Sequence, residues 1–288
     1  MTRSIAAMAV TNAPRRRLAL DRIRQEPTQL LWLGLSALGL AFLIATILPP
    51  NGYDAYAYWV VDPRDPYAGV GVDLEGKDQG AFRYAPVMAL PPFELLPWPV
   101  FRYGWMTLQL VALWYVGRRW ALALLLFTPV WLDLVYGNIN ILLAATVVAG
   151  FRHPWVWSFA LLTKVTPGIG VLWFAVRREW RNLGLVVGAV VVLGVVSVPF
   201  VGIDLWRDWV LVLNSSAGMQ SPGGTLPIPV LPRLVLAAIV VTWGALTDRK
   251  WTVAVAVTIA MPTLWPIAFA PLVGVVPFVR KRTPSHAA

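Results

Sequence analysis

The chain has 288 residues, of which 58% are hydrophobic and only 13% charged, with 16 Trp, and this excludes an ordinary soluble domain. The absence of Cys excludes disulfides, thiolate metal sites and a Cys nucleophile. The net charge of +10 is scattered in twos and threes between apolar runs, which fits membrane topology better than a nucleic-acid-binding face.

The apolar runs are continuous and do not alternate as barrel strands do, so the sequence predicts an all-α polytopic membrane protein. Residues 1–29 form a basic tail with Arg15-Arg16-Arg17, Arg22 and Arg24, placed in the cytoplasm by the positive-inside rule. The first span covers about 30–48. It ends in Leu48-Pro49-Pro50 and lacks a small-x-small cleavage site, so it is expected to stay as an anchor. Residues 51–86 then form a large outer loop that gathers Asp54, Asp62, Asp65, Asp73, Asp78 and Arg83 between two apolar regions.

The stretch 86–99 carries five prolines and Glu94, and reads as an interfacial segment lying along the outer face. Spans follow at about 100–116, 121–135 and 141–150, separated by Arg118-Arg119 inside and by Tyr136-Gly137-Asn138-Ile139-Asn140 outside. A single span over 155–176 would strand Arg177, Arg178 and Arg181 on the outer side. A break at Lys164-Val165-Thr166-Pro167 makes two short helices and returns those cations to the cytoplasm, and broken backbone at membrane depth points to a cavity. A span over 183–200, a second large loop over 201–232, a span over 234–246 and two helices flanking Met261-Pro262-Thr263-Leu264-Trp265-Pro266 complete about ten. The chain therefore reads as one transmembrane domain over 30–282, with a cytoplasmic tail at 283–288.

Four polar groups stand out. Asp54 sits just beyond the first span among Tyr53, Tyr56, Tyr58 and Trp59, where desolvation would raise its pKa towards that of a general base; the alternative is an exposed acid in an interfacial aromatic belt. Lys164 lies inside an apolar stretch, where a functional partner such as a lipid phosphate is the first hypothesis and snorkelling to the interface the alternative. Asp133 and the Gly137–Asn140 turn are polar groups at the outer end, where propensity favours a helix-terminating Gly-Asn turn with a capping Asn over a functional role. Arg83 and Tyr84, with Arg102 on the same side, oppose the overall charge bias and suit phosphate or carboxylate pairing. No phosphate loop, zinc motif or nucleophile elbow is present, and the two histidines, His153 and His286, fall on the cytoplasmic side.

In order and spacing, Asp54, Asp65-Pro66-Tyr67, Phe82-Arg83-Tyr84-Ala85-Pro86, Gly137-Asn138-Ile139-Asn140 and Lys164-Val165-Thr166-Pro167 resemble the GT-C superfamily of membrane glycosyltransferases. Within it they resemble the polyprenol-phosphate-mannose-dependent alpha-mannosyltransferases of actinobacterial envelope lipids. The resemblance implies a GT-C-like bundle of about ten transmembrane helices with interfacial helices in the first outer loop. It implies Asp54 as catalytic base of an inverting transfer, and Lys164, Arg83 and Tyr84 as contacts to the donor phosphate. Asn138 and Asn140 would lie on the second outer loop, Asn138 where relatives carry Gln or an acid.

No cofactor and no metal ligand set is expected. The expected partners are a polyprenyl-phosphate sugar donor, a glycolipid or glycan acceptor and membrane lipids, with no nucleic acid. The setting is the plasma membrane, multi-pass, with the active site on the extracytoplasmic side. The resemblance also implies C-terminal helices beyond those found here. A transporter or lipid flippase using the broken helix at Lys164, or an inactive GT-C-like scaffold, are the competing readings.

Overall fold

A computed structural model describes residues 27–47, 52–68, 82–216, 226 and 228–279. Residues 1–26 of the basic tail, Asp73, Asp78, residues 217–225 and 227 of the loop expected over 201–232, Arg280-Lys281-Arg282, His286 and the C-terminal tail lie outside the described residues. Within them every regular element is helical.

Helix α1 (Pro27–Ile47) is apolar on nearly all sides, and α2 (Tyr53–Val60) begins the first loop behind Gly52, whose φ of 138° only glycine tolerates. Short 3₁₀ turns at Pro86–Ala89 and Phe93–Leu95 occupy the proline-rich stretch, where the missing amide donors prevent a continuous helix. Helix α3 (Trp98–Gly117) follows and ends at Arg118, whose φ is 52°. The expected span over 121–135 is divided into α4 (Ala121–Leu124) and α5 (Thr128–Tyr136), and α5 is bent by 108° from the stretch Trp98–Leu124 before it. Pro129 explains the break: it suits the first turn of a new helix and clashes with the preceding turn of a continuous one.

Helix α6 (Asn140–Gly150) is the central element, and its Leu143, Ala144 and Val147 are almost completely buried in the two main apolar clusters. Helix α7 (Trp157–Thr163) stops at Lys164, as expected. A 3₁₀ turn (Thr166–Val171) and α8 (Leu172–Val176) continue beyond it. The next helix, α9 (Trp180–Ser216), runs far past the expected end at 200 and turns the first half of the proposed second loop into helix. Gly202, at φ 77°, kinks it three residues after Pro199. The chain then recovers because Trp206, Trp209 and Leu213 recur at helical spacing and bury against Ala85 and Leu162. Helices α10 (Val230–Leu246) and α11 (Trp251–Ile259) pair. A long 3₁₀ segment (Pro266–Val275) and α12 (Val276–Val279) close the described chain.

Among the described residues, Trp180–Asn214 is the one helix long and apolar enough to cross a membrane, with a mean hydropathy of 2.6; a second candidate is the bent pair of Trp98–Leu124 with Thr128–Tyr136. The remaining apolar helices, such as Asn140–Gly150 and Val230–Leu246, are shorter. Ten spans therefore rest on charge pattern alone. Three of the basic connections touch: Arg177 meets Glu179 at 2.9 Å and Asp248 at 3.1 Å, and Lys250 lies over the Phe151 ring.

Candidate active site

Five polar side chains from three separate stretches of sequence meet in one chain of hydrogen bonds. Lys164 Nζ donates to Asn138 Oδ1 at 2.9 Å and to Asn140 Oδ1 at 2.8 Å. Asn138 Nδ2 donates to Asp54 Oδ2 at 2.8 Å, and Asn140 Nδ2 to Asp133 Oδ1 at 2.8 Å. An ammonium has no lone pair to offer, so both amides must turn their oxygens towards Lys164 and their nitrogens outwards, each onto a carboxylate. The order is carboxylate, amide, ammonium, amide, carboxylate.

Local structure explains the placement. Gly137 ends α5 in the left-handed conformation, φ 73°, and its amide closes onto the Asp133 carbonyl at 2.8 Å. The turn is held from α3 as well, by Trp105 Nε1 to the Gly137 carbonyl at 2.7 Å and by Gln109 Nε2 to the Asn138 carbonyl at 2.6 Å. Glycine is required here for space too, since a Cβ at 137 would lie 2.5 Å from the Ala55 Cβ. That contact seats α2, and with it Asp54, on the turn.

Lys164 is set by strained backbone. Val165 has φ 47° and ψ −63° with a 2.5 Å bond from Thr166 N to Lys164 O, the geometry of a classic γ-turn, which is rare for a β-branched residue. Such backbone costs on the order of 1–3 kcal/mol and is characteristic of functional sites. Asp133 and Asn140 are fully buried, Asn138 nearly so, and Asp54 and Lys164 are half-buried, so the chain of bonds runs from the core to an accessible end at Asp54.

The electrostatics follow. Burial raises the Asp54 carboxyl above its ordinary 3.8, while the Asn138 hydrogen bond and the Lys164 charge pull it back towards ionisation. Tyr58 and Tyr84 share a hydroxyl–hydroxyl bond of 2.8 Å, in which only one of the two protons is used. Burial pushes both phenols well above their ordinary range, so they remain donors at neutral pH.

Of the residues singled out by sequence, Asp54, Asn138, Asn140 and Lys164 come together, and Tyr84 is tied to α2 through Tyr58. The Phe82–Pro86 strip is pinned beside the Lys164 turn by Ala85 N to Leu162 O at 2.8 Å. Arg83 is half-buried, and its carbonyl accepts Trp209 Nε1 at 3.2 Å. Arg102 turns away from the chain of bonds to cap α5, with Nη2 on the Leu134 and Val135 carbonyls at 2.7 and 3.1 Å. Sequence reasoning saw Asp133 only as a polar residue near a turn, and assigned no role to Tyr58 or Gln109. An acid seven residues before an Asn, in an otherwise apolar helix, was the available signal for Asp133. Among the described residues no cluster of His, Cys, Asp and Glu could hold a metal ion.

The sequence model of Glycosyltransferase family 87 matches residues 82–287, well over half of the chain. The chain belongs to glycosyltransferase family 87. No curated protein and no solved structure matches it. This family 87 chain is thus a glycosyltransferase, with a sugar donor and an acceptor as its partners, and the family membership and apolar composition together mark it as a membrane protein. The matched segment contains Arg83, Tyr84, Asp133, Asn138, Asn140 and Lys164, whereas Asp54 lies before it and joins the others only through the fold.

Proposed function

We propose that the protein transfers a sugar, mannose first among candidates, from a polyprenyl-phosphate donor to an envelope glycolipid or glycan, with inversion, at the extracytoplasmic face of the plasma membrane. The observation that carries this reading is the bond from Asn138 Nδ2 to Asp54 Oδ2 within the chain anchored on Lys164. Asn138 occupies Oδ2 and leaves Oδ1 for an acceptor hydroxyl. The acceptor proton passes to Asp54 Oδ1 as its oxygen bonds to the anomeric carbon. The bond from that carbon to the phosphate oxygen breaks on the opposite face, and polyprenyl phosphate departs with the electron pair.

A carboxyl raised by burial, yet held towards ionisation by the Asn138 hydrogen bond and the Lys164 charge, is a stronger base than an exposed Asp and is still able to ionise. Lys164 has used two of its three N–H donors within the protein, and the third is available to the leaving phosphate. The spare hydroxyl proton of the Tyr58–Tyr84 pair and the Arg83 guanidinium are the further candidates to meet that charge in a water-poor site. Multi-pass topology with both ends cytoplasmic is part of the same proposal, supported by the grouping of Arg177, Asp248 and Lys250 at one end.

The test is to incubate purified protein and its Asp54→Asn variant with labelled polyprenyl-phosphate sugars and membrane lipid extracts. Transfer by the wild type, cut by about 10²-fold or more in the variant, is expected. Full activity in Asp54→Asn removes Asp54 from the mechanism. No transfer from any donor points instead to a transporter, flippase or inactive scaffold.

A further inference from the structure

The donor chemistry above uses Asp54, Lys164 and the Tyr58–Tyr84 pair, and leaves a second carboxylate unexplained. Asp133 is completely buried in α5, away from the half-buried end of the bond chain where the substrates would meet Asp54. A carboxylate in that position needs a reason, since its removal from water is costly unless every oxygen is matched. Both of its oxygens are matched. Oδ2 accepts Ile141 N at 2.9 Å, and Oδ1 accepts Asn140 Nδ2 at 2.8 Å.

The first bond caps α6, a role Asn or Ser would fill as well. The second sets the direction of an amide. With Nδ2 of Asn140 held by Asp133 and by the Ile267 carbonyl at 3.1 Å, its Oδ1 has to face Lys164. Lys164 is then held between two amide oxygens, one from each Asn, and Asn138 hands the same polarity on to Asp54. Reversing one amide anywhere in this sequence would bring donor against donor.

From this geometry we infer that Asp133 is a positioning residue for transfer, acting through Asn140 and Lys164 to place Asn138 against the Asp54 base. The inference rests on the reading of Asp54 as general base. Asp133 never touches substrate. Its contribution is a fixed direction of hydrogen bonding across the site.

An exchange of residues separates this role from capping. In Asp133→Asn the new side chain still accepts Ile141 N through its oxygen, so the cap survives. Its nitrogen, however, now meets the Nδ2 of Asn140. In the double variant Asp133→Asn/Asn140→Asp that nitrogen donates to residue 140, whose other oxygen accepts from Lys164. Both the direction of bonding and the net charge are recovered, although the Ile267 carbonyl loses its donor.

Transfer kinetics are to be measured on the full-length purified protein with the donor that the wild type uses, alongside thermal melting of each variant. For Asp133→Asn, kcat is expected to fall at least about 10-fold with donor KM within about 2-fold. The double variant should regain most of that kcat. Asn140→Ala, which cuts the link and keeps the Ile141 cap, should lose kcat as the single variant does, and it carries the test if Asp133→Asn does not fold. Wild-type kcat in a folded Asp133→Asn or Asn140→Ala variant overturns the inference, as does a folded double variant no faster than Asp133→Asn. If Asp54→Asn retains full activity, or the wild type transfers no sugar, the base assignment falls and takes this inference with it. If Asp54→Asn is dead and Asp133→Asn normal, the positioning role alone falls.

Discussion

Replacing Gly137 with Ala perturbs the site without touching any of its polar groups. The added Cβ would lie 2.5 Å from the Ala55 Cβ, whereas ordinary carbon contacts begin at roughly 3.5–4.0 Å. Relief requires α2 and the turn to separate by about 1–1.5 Å. Asp54 is the residue next to Ala55, and its bond from Asn138 is 2.8 Å long, so a shift of that size carries it beyond hydrogen-bond range. The left-handed φ of 73° adds roughly 1–2 kcal/mol for a residue with a Cβ, and overpacking adds about 1–3 kcal/mol. A misplacement of about 1 Å in a catalytic group costs on the order of 10²-fold in rate.

Ala55→Gly in the same chain removes the colliding methyl group. The next neighbours of the new Cβ are then Ala55 N at 3.4 Å and Cα at 3.5 Å, which is ordinary contact. The double variant should therefore recover most of the rate while keeping the left-handed penalty in its melting temperature. The assay is sugar transfer by detergent-purified protein, with tryptophan fluorescence reporting unfolding. A folded Gly137→Ala protein with wild-type rate, or a double variant no faster than the single, refutes the argument that this contact positions Asp54.

Two further outcomes are expected. Asp54 must be ionised to act, so activity is lost as pH falls through its folded pKa, which lies above 3.8. Asn138→Ala removes a donor that favours the carboxylate, and so should move the acid limb of the pH–rate profile upward; a limb at or below the wild-type position counts against the Asn138–Asp54 bond. Arg233 donates to the carbonyls of Ile228, Pro229, Ile259, Met261 and Pro262, tying the start of α10 to the end of α11. Arg233→Met should lower stability by roughly 2–5 kcal/mol and leave the kcat of folded protein unchanged; an unaltered melting temperature would show that the clamp contributes nothing.

The candidate site was partly legible in the sequence, and unevenly so. Asp54 and Lys164 stood out because a charge beside or within apolar sequence needs a partner, and Pro167 marked the break that presents Lys164. Asn138 and Asn140 were visible as a turn, for which helix termination was the better explanation by propensity. Asp133 was the residue passed over, because an isolated acid near a helix end has an adequate local role in capping, and its second bond goes to Asn140, whose own direction depends on Lys164. The first half of the loop expected at 201–232 is helical instead, for a similar reason. The apolar run stops near Phe200 and charged residues follow it, while burial of Trp209 against Ala85 and Leu162 carries the helix on.

By itself the sequence determined that this is an apolar, helix-forming chain without cysteine chemistry, that the loop after its first apolar segment carries a carboxylate among aromatic rings, and that Lys164 sits at a break. These follow from composition and from short-range rules of helix formation, which need no partner. The tertiary structure decided which polar groups meet. Asp54, Asp133, Asn138, Asn140 and Lys164 span more than a hundred positions of sequence, and no local rule ranks one pairing over another. The choice is made by a lysine that can only donate and amides that must point one way, once packing of α2, α6 and the Lys164 turn has brought them within reach.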